Sequence, residues 1–225
     1  MTGRILRARG VAKTYGEGAQ RVDALRATDF DVDRGEFVMV AGPSGSGKST
    51  LLAIIAGLLT PTAGAVEVLG RDLAAMDAHA FDAFRLEHFG FVFQGFHLLP
   101  ALTALEQVSI VLRQQGMPAA AARGRARDSL ERVGLGGRLA NRPSELSGGE
   151  KQRTAIARAL AKQPQVIFAD EPTSALDSEN GRQITRLLRA ATADGAAVIC
   201  VTHDPRLIEH ATRVIRMEDG AVVAS

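Results

Sequence analysis

Nine consecutive residues, Gly42-Pro43-Ser44-Gly45-Ser46-Gly47-Lys48-Ser49-Thr50, carry the spacing G-x-x-x-x-G-K-[ST]. Glycines at 42, 45 and 47 let backbone N–H groups turn inward around an anion with no Cβ in the way. The spacing points to phosphate: Lys48 is placed to reach the β- and γ-phosphates of a nucleoside triphosphate, and the Ser49 hydroxyl to ligate Mg²⁺. A second group lies far along the chain, where Val166-Ile167-Phe168-Ala169 runs into Asp170-Glu171. An apolar strand ending in Asp is the usual companion of a phosphate loop, the Asp holding Mg²⁺ directly or through water. A charge at Glu171 serves no strand, whereas a general base for water needs one. The third group is Leu146-Ser147-Gly148-Gly149-Glu150. Its S-x-x-E spacing is that of a capping box, which starts a helix. Two glycines in a first turn weaken a helix, and an anion held closely at the helix start explains them.

Three single residues complete the candidates. Tyr15 is the sole tyrosine and stands in a turn with Gly16 and Gly18, so it reads as a packing residue or as a ring that stacks on a base. Gln94 follows the apolar run 89–93, where a glutamine is ordinarily a solvated loop residue. His203 and Asp204 follow the run 197–202, at the strand end where open α/β sheets take their ligands.

These groups need elements to hold them. Residues 37–41 and 51–56 flank the glycine loop as strand and helix. Residues 4–40 alternate apolar runs with turn signals and predict a small, largely antiparallel sheet. Residues 60–64 read as a turn, 66–70 as a strand, and 77–87 as a short amphipathic helix. Thr103 caps a helix carrying Leu105, Val108, Val111 and Leu112, and an Ala/Arg-rich helix spans about 119–133. From Arg113 to Arg142, seven arginines face only Asp128 and Glu131, as a solvated face or one near anionic head groups. Helix 178–192, strand 197–202 and a hairpin turning at Asp219-Gly220 follow. The pattern is that of one domain over 1–225, with a core of 1–93 and 163–225 and an inserted helical lobe over 94–162.

Bulk properties narrow the classes. With 225 residues the chain can bury a sizeable core, and a net charge of +2 is too small to make nucleic acid the main partner. The N-terminal stretch lacks the apolar run of a signal peptide, and the longest such run, 51–59, is about half a membrane span. Cys200, alone and within an apolar run, excludes an internal disulfide and suits a cytoplasmic setting. Because the chain stops after the hairpin, no C-terminal regulatory domain is expected.

Taken together, Tyr15, residues 42–50, Gln94, 146–150, 166–171 and His203, with Ser174-Ala175-Leu176-Asp177, stand in an order that resembles the ATP-binding cassette of ABC transporters. The resemblance covers essentially the whole chain, and Leu146–Gly149 followed by Lys151-Gln152-Arg153 is its most specific part. Residues 93–100 and 102–106 are similar to the lipoprotein-releasing and macrolide-export group. The fold so implied is α/β: a P-loop NTPase core with a mixed sheet, an N-terminal antiparallel β subdomain and an inserted α-helical subdomain. By the same resemblance Tyr15 stacks on adenine, and Gly42, Ser44, Gly45, Ser46, Gly47, Lys48, Ser49 and Thr50 bind ATP. Ser49, Gln94 and Asp170 serve Mg²⁺, Glu171 polarises the attacking water, and His203 contacts the γ-phosphate. Ser147, Gly148 and Gly149 bind ATP held by another subunit.

Each ATP then lies between two chains, in a head-to-tail yet two-fold homodimer. The implied function is an ATP-hydrolysing subunit at the cytoplasmic face of the inner membrane, partnered by a transmembrane permease subunit and driving export or extraction of a substrate from the membrane. A soluble ABC-type ATPase is the alternative, while a small-molecule kinase leaves Ser147, Glu171 and His203 unexplained. Glu150 departs from the family pattern, which often has Gln there; a capping box would fold its carboxylate back onto its own helix.

Overall fold

The computed structural model describes residues 3–174, 176–202 and 204–224. Its strands are β1 (Arg4–Tyr15), β2 (Val22–Asp33), β3 (Phe37–Ala41), β4 (Ala63–Val68), β5 (Arg71–Asp72), β6 (Phe89–Val92), β7 (Val166–Asp170), β8 (Ala197–Val201), β9 (Arg213–Glu218) and β10 (Ala221–Ala224). Its α-helices are α1 (Lys48–Ile55), α2 (Ala78–His88), α3 (Ala104–Gln114), α4 (Ala119–Arg132), α5 (Gly148–Ala161), α6 (Ser178–Ala193) and the short α7 (Pro205–Ile208). No helix among the described residues is long and apolar enough to cross a membrane.

Two sheets organise the molecule. An antiparallel sheet runs β2-β1-β4-β5, and a six-stranded sheet runs β10-β9-β3-β8-β7-β6, parallel except for the β9–β10 hairpin. The central strands β3, β7 and β8 read as unbroken apolar runs because both of their faces are covered. Alternate side chains divide between two cores: Val38, Val40, Phe168 and Ile199 join α1 and the antiparallel sheet, whereas Phe37, Met39, Ile167 and Val198 join α3, α4, α5 and α6. The helices of the middle of the chain thus share a core with the main sheet, through α5.

The expected antiparallel region is two 12-residue strands, not several short ones; bulges between Ala8 and Val11 and beyond interrupt the alternation that would have revealed their length. Strand β4 begins at Ala63, inside the stretch read as a turn, because Ala63 pairs with Ala12 of β1. The turn comes later, at Leu69 and Gly70, both with positive φ. Cys200 is fully buried, and burial pushes its thiol well above the ordinary value.

Parallel registry is what assembles a site. Val201 of β8 lies opposite Val40 of β3 and also opposite Asp170 of β7. The segments that follow these strands, the glycine loop, Glu171 and Thr202, therefore leave the sheet at one level and one end.

Candidate functional site

The glycine loop joins β3 to α1 with Gly47 as N-cap, at a left-handed φ of 92°. A Cβ there would come 2.6 Å from the Ala24 carbonyl oxygen, so both the conformation and the space require glycine. The loop is also braced from outside. Gly220 N–H donates to the Ser46 carbonyl (3.2 Å), and Arg26 N–H to that of Gly220 (2.7 Å), so the β9–β10 hairpin and β2 clamp it. Lys48 folds across the loop, its Nζ donating to the carbonyls of Gly42 (2.9 Å) and Pro43 (2.6 Å), with Ser46 Oγ at 3.5 Å.

Opposite stands Asp170, with its Oδ1 3.5 Å from Ser49 Oγ. Burial raises the Asp170 pKa and Glu171 adds to that, while Ser49 and Lys48 act the other way. A half-buried carboxylate paired with a hydroxyl is an all-oxygen donor set suited to a hard divalent cation, whose charge would relieve the burial. The residues present therefore fit Mg²⁺.

Glu171 has φ of 48°, a left-handed conformation that costs a non-glycine residue ~1–3 kcal/mol. Its N–H donates to the Val201 carbonyl (2.8 Å), and its carbonyl accepts from Ser174 N–H (3.3 Å) and Oγ (3.0 Å). Thr202 Oγ1 donates to Glu171 Oε2 at 3.0 Å. Thr202 in turn accepts from Asp204 N–H (3.0 Å), and Thr173 donates to the buried Asp204 carboxylate (2.6 Å). Sequence reasoning missed Thr202 and Thr173; the one available signal was their position beside His203 and Glu171.

Gly42, Ser44, Gly45, Gly47, Lys48, Ser49, Thr50, Gln94, Asp170 and Glu171 all line one cleft of about 990 Å³. Asp23, Arg26 and Asp219 line it too and were not foreseen. Ser46 lies buried beneath the loop. Tyr15 does not line the cleft, but its cross-strand partner Val22 does, and the ring is 48% exposed with Lys13 Nζ 5.2 Å from its centre. His203 and Ala175 lie outside the described residues.

The segment at 146–150 is elsewhere: Ser147, Gly148 and Gly149 contribute nothing to that cleft. They start α5 with the full capping box, Ser147 Oγ accepting from Glu150 N–H (3.2 Å) and Glu150 Oε2 from Ser147 N–H (2.8 Å). Arg138 Nε donates to Glu150 Oε1 at 2.9 Å. The Ser147 N–H bond first, then Arg138, draw the Glu150 pKa from 4.5 to about 2. The carboxylate is thus folded back onto its own helix, as the spacing predicts.

Comparison with known proteins agrees with this geometry. The family described as ABC transporter matches residues 25–174. The chain is 49% identical over 222 residues to "Macrolide export ATP-binding/permease protein MacB 1/2" of Paracoccus denitrificans, covering 98% of the chain and 33% of that protein. It is 45% identical over 219 residues to the "Uncharacterized ABC transporter ATP-binding protein MJ1508" of Methanocaldococcus jannaschii, covering 97% of the chain and 98% of the relative. The chain spans about a third of the length of the macrolide-export relatives it matches. Among solved structures, the "Dimeric structure of a post-hydrolysis state of the ATP-binding cassette MJ0796 bound to ADP and Pi" superimposes with a TM-score of 0.92 at 41% identity, covering 98% of this chain and 97% of that one. With its glycine loop, strand-end carboxylates and capped glycine helix set in this fold, the chain belongs to the ABC transporter family, as one of its ATP-binding cassettes.

Proposed function

We propose that this cassette binds ATP with Mg²⁺ and hydrolyses it to drive a membrane transporter, with residues 94–162 as the lobe that meets a second cassette and a permease subunit. One observation carries the reading: Lys48, Ser49, Gln94, Asp170 and Glu171, from three separate stretches of chain, line a single cleft. In the bound state the loop N–H groups and the α1 dipole face the phosphates, and Lys48 turns from the loop carbonyls to the β- and γ-phosphates. Ser49, Asp170 and Gln94 would hold Mg²⁺, which would supply charge neutralisation on the phosphate oxygens. Glu171, fixed by Thr202, takes the proton of the attacking water. Gln94 orients that water, His203 meets the γ-phosphate, and Tyr15 stacks on adenine with the ring face that Lys13 leaves open.

Ser147, Gly148 and Gly149 form a second anion-ready helix start outside the cleft, which serves the ATP of a facing subunit in a head-to-tail homodimer. Similarity to export ATP-binding/permease proteins over nearly its whole length favours an export or membrane-extraction system over a free-standing ATPase. The site of work in this reading is the cytoplasmic face of the cell membrane. The test is a pair of variants. Lys48→Ala should lose ATP binding, whereas Glu171→Gln should bind ATP normally and hydrolyse it about 10²–10⁴-fold more slowly. A Glu171→Gln protein that turns ATP over near the parent rate would overturn the assignment.

A further inference from the structure

Three helices end around one cavity of about 480 Å³. Helix α4 reaches it with Ser129 and Arg132, α5 with Ala157 and Leu160, and α6 with Leu187 and its C-cap Asp194. Just past each helix stands a residue of positive φ: Gly134, Gln163 and Gly195. Pro164 and Ala196, which precede β7 and β8, complete the lining. The cavity therefore lies at the end of the main sheet opposite the glycine loop, and it shares no lining residue with the nucleotide cleft. Gln183 of α6 donates to the Arg132 carbonyl at 3.0 Å and ties two of the walls together.

The charges of this lining are unanswered. The C-terminal end of a helix carries roughly half a negative elementary charge. Helix α4 has Arg132 in its last turn, and α5 has Arg158, whose guanidinium is taken up outside the cavity by the carbonyls of Phe96 and His97. Helix α6 has no basic residue in its last turn and is capped by Asp194, a carboxylate at the end where the dipole disfavours one. Among the described residues neither the Asp194 carboxylate nor the Arg132 guanidinium has a hydrogen-bond or ion-pair partner, and they are not paired with each other. Ser129 Oγ donates to the Arg125 carbonyl at 2.9 Å and keeps its lone pairs as acceptors. Between these polar groups the surface is apolar, made by Val133, Leu160, Leu187 and Ala191.

We propose that this cavity binds a small zwitterion with an apolar body, a free amino acid or a dipeptide, its ammonium at the end of α6 against Asp194 and its carboxylate on Arg132. Charge complementarity selects this class. An apolar ligand answers neither charge, an anion alone meets Asp194 and three negative helix ends, and a cation alone meets Arg132. The volume lies within the range of small-molecule pockets, about 300–1,000 Å³. The site does not depend on the ATPase reading, because no residue of the nucleotide cleft takes part in it.

The test titrates the unaltered chain, isotopically labelled, with leucine and with leucyl-phenylalanine, each also as its N-acetyl form and its C-terminal amide. Amide chemical shifts report the binding. The tighter of the two zwitterions should shift the signals of Ser129, Leu160 and Asp194. It should bind about tenfold or more tightly than either of its own blocked forms, as expected for loss of one charge-assisted hydrogen bond. Asp194→Asn should erase the penalty of acetylation and keep that of amidation, and Arg132→Gln should do the reverse. Both side chains are exposed, so these substitutions leave the core intact. This crossed pattern is one that apolar association cannot imitate. Tighter binding of leucine supports the proposal with an amino acid as the source, and tighter binding of the dipeptide supports it with a peptide. No binding of either zwitterion at millimolar concentration, equal binding of free and blocked forms, or shifts confined to other surfaces would each overturn it.

Discussion

Glu171 owes its position to a residue that the sequence does not announce. Its left-handed backbone and the Thr202 hydroxyl together fix the carboxylate, and nothing in the sequence pairs two residues 31 apart. Thr202→Val should leave ATP binding unchanged and lower kcat by about ten- to a hundredfold, the scale of a slightly misplaced catalytic group. Unchanged kcat in steady-state assays would make Thr202 a strand end and nothing more. Glu150 shows the opposite case, where local spacing was enough: S-x-x-E predicts the capping box and the box is present. Its folded pKa, about 2, lies below the ordinary 4.5, so its contribution to stability is complete above about 4.5 and is lost as pH falls from there towards 2. Urea unfolding at stepped pH should show the parent more stable than Glu150→Gln near neutrality, with the gap closing through that window. A gap that persists below pH 2 would place the effect elsewhere than in this carboxylate.

At the scale of elements, the loop from Gln94 to Leu102 is braced at both ends. Arg158 holds residues 96 and 97, and the buried Gln107 of α3 exchanges hydrogen bonds with Leu99, accepting its N–H at 3.1 Å and donating to its carbonyl at 2.6 Å. Leu99 is therefore presented outward by a fixed backbone, and neither it, Phe96 nor Leu98 belongs to either core. Leu99→Asp should abolish transport by the assembled complex and lower its ATPase to the rate of the isolated cassette. Full transport by the variant would remove the loop from the docking surface. Gln107 did not stand out in the sequence, because a glutamine within a helical pattern looks solvated until its partners are known. The same holds across the fold. Central strands buried on both faces were legible as apolar runs, and the caps at Thr103 and Ser147 as side-chain types. The lengths of β1 and β2 were hidden by bulges, which break the two-residue period that reveals a strand.

For the molecule as a whole, the glycine-loop cleft and the helix start at Ser147 belong to one chain but not to one site. Within one chain the start of α5 does not line the cleft. In the proposed two-fold pairing of chains, each cleft faces the Ser147 of its neighbour. Lys48→Ala and Ser147→Arg should each be inactive alone. Mixed in equal amounts they should recover about a quarter of the parent rate, because half the dimers are mixed and each keeps one of its two sites. Closure on ATP also follows, as ATP offers the facing helix a γ-phosphate that ADP lacks. The most direct measurement is the mass of Glu171→Gln by light scattering with ATP and Mg²⁺ and then with ADP. A shift from monomer to dimer with ATP alone is the predicted result; a protein that binds ATP and stays a monomer would contradict the shared site.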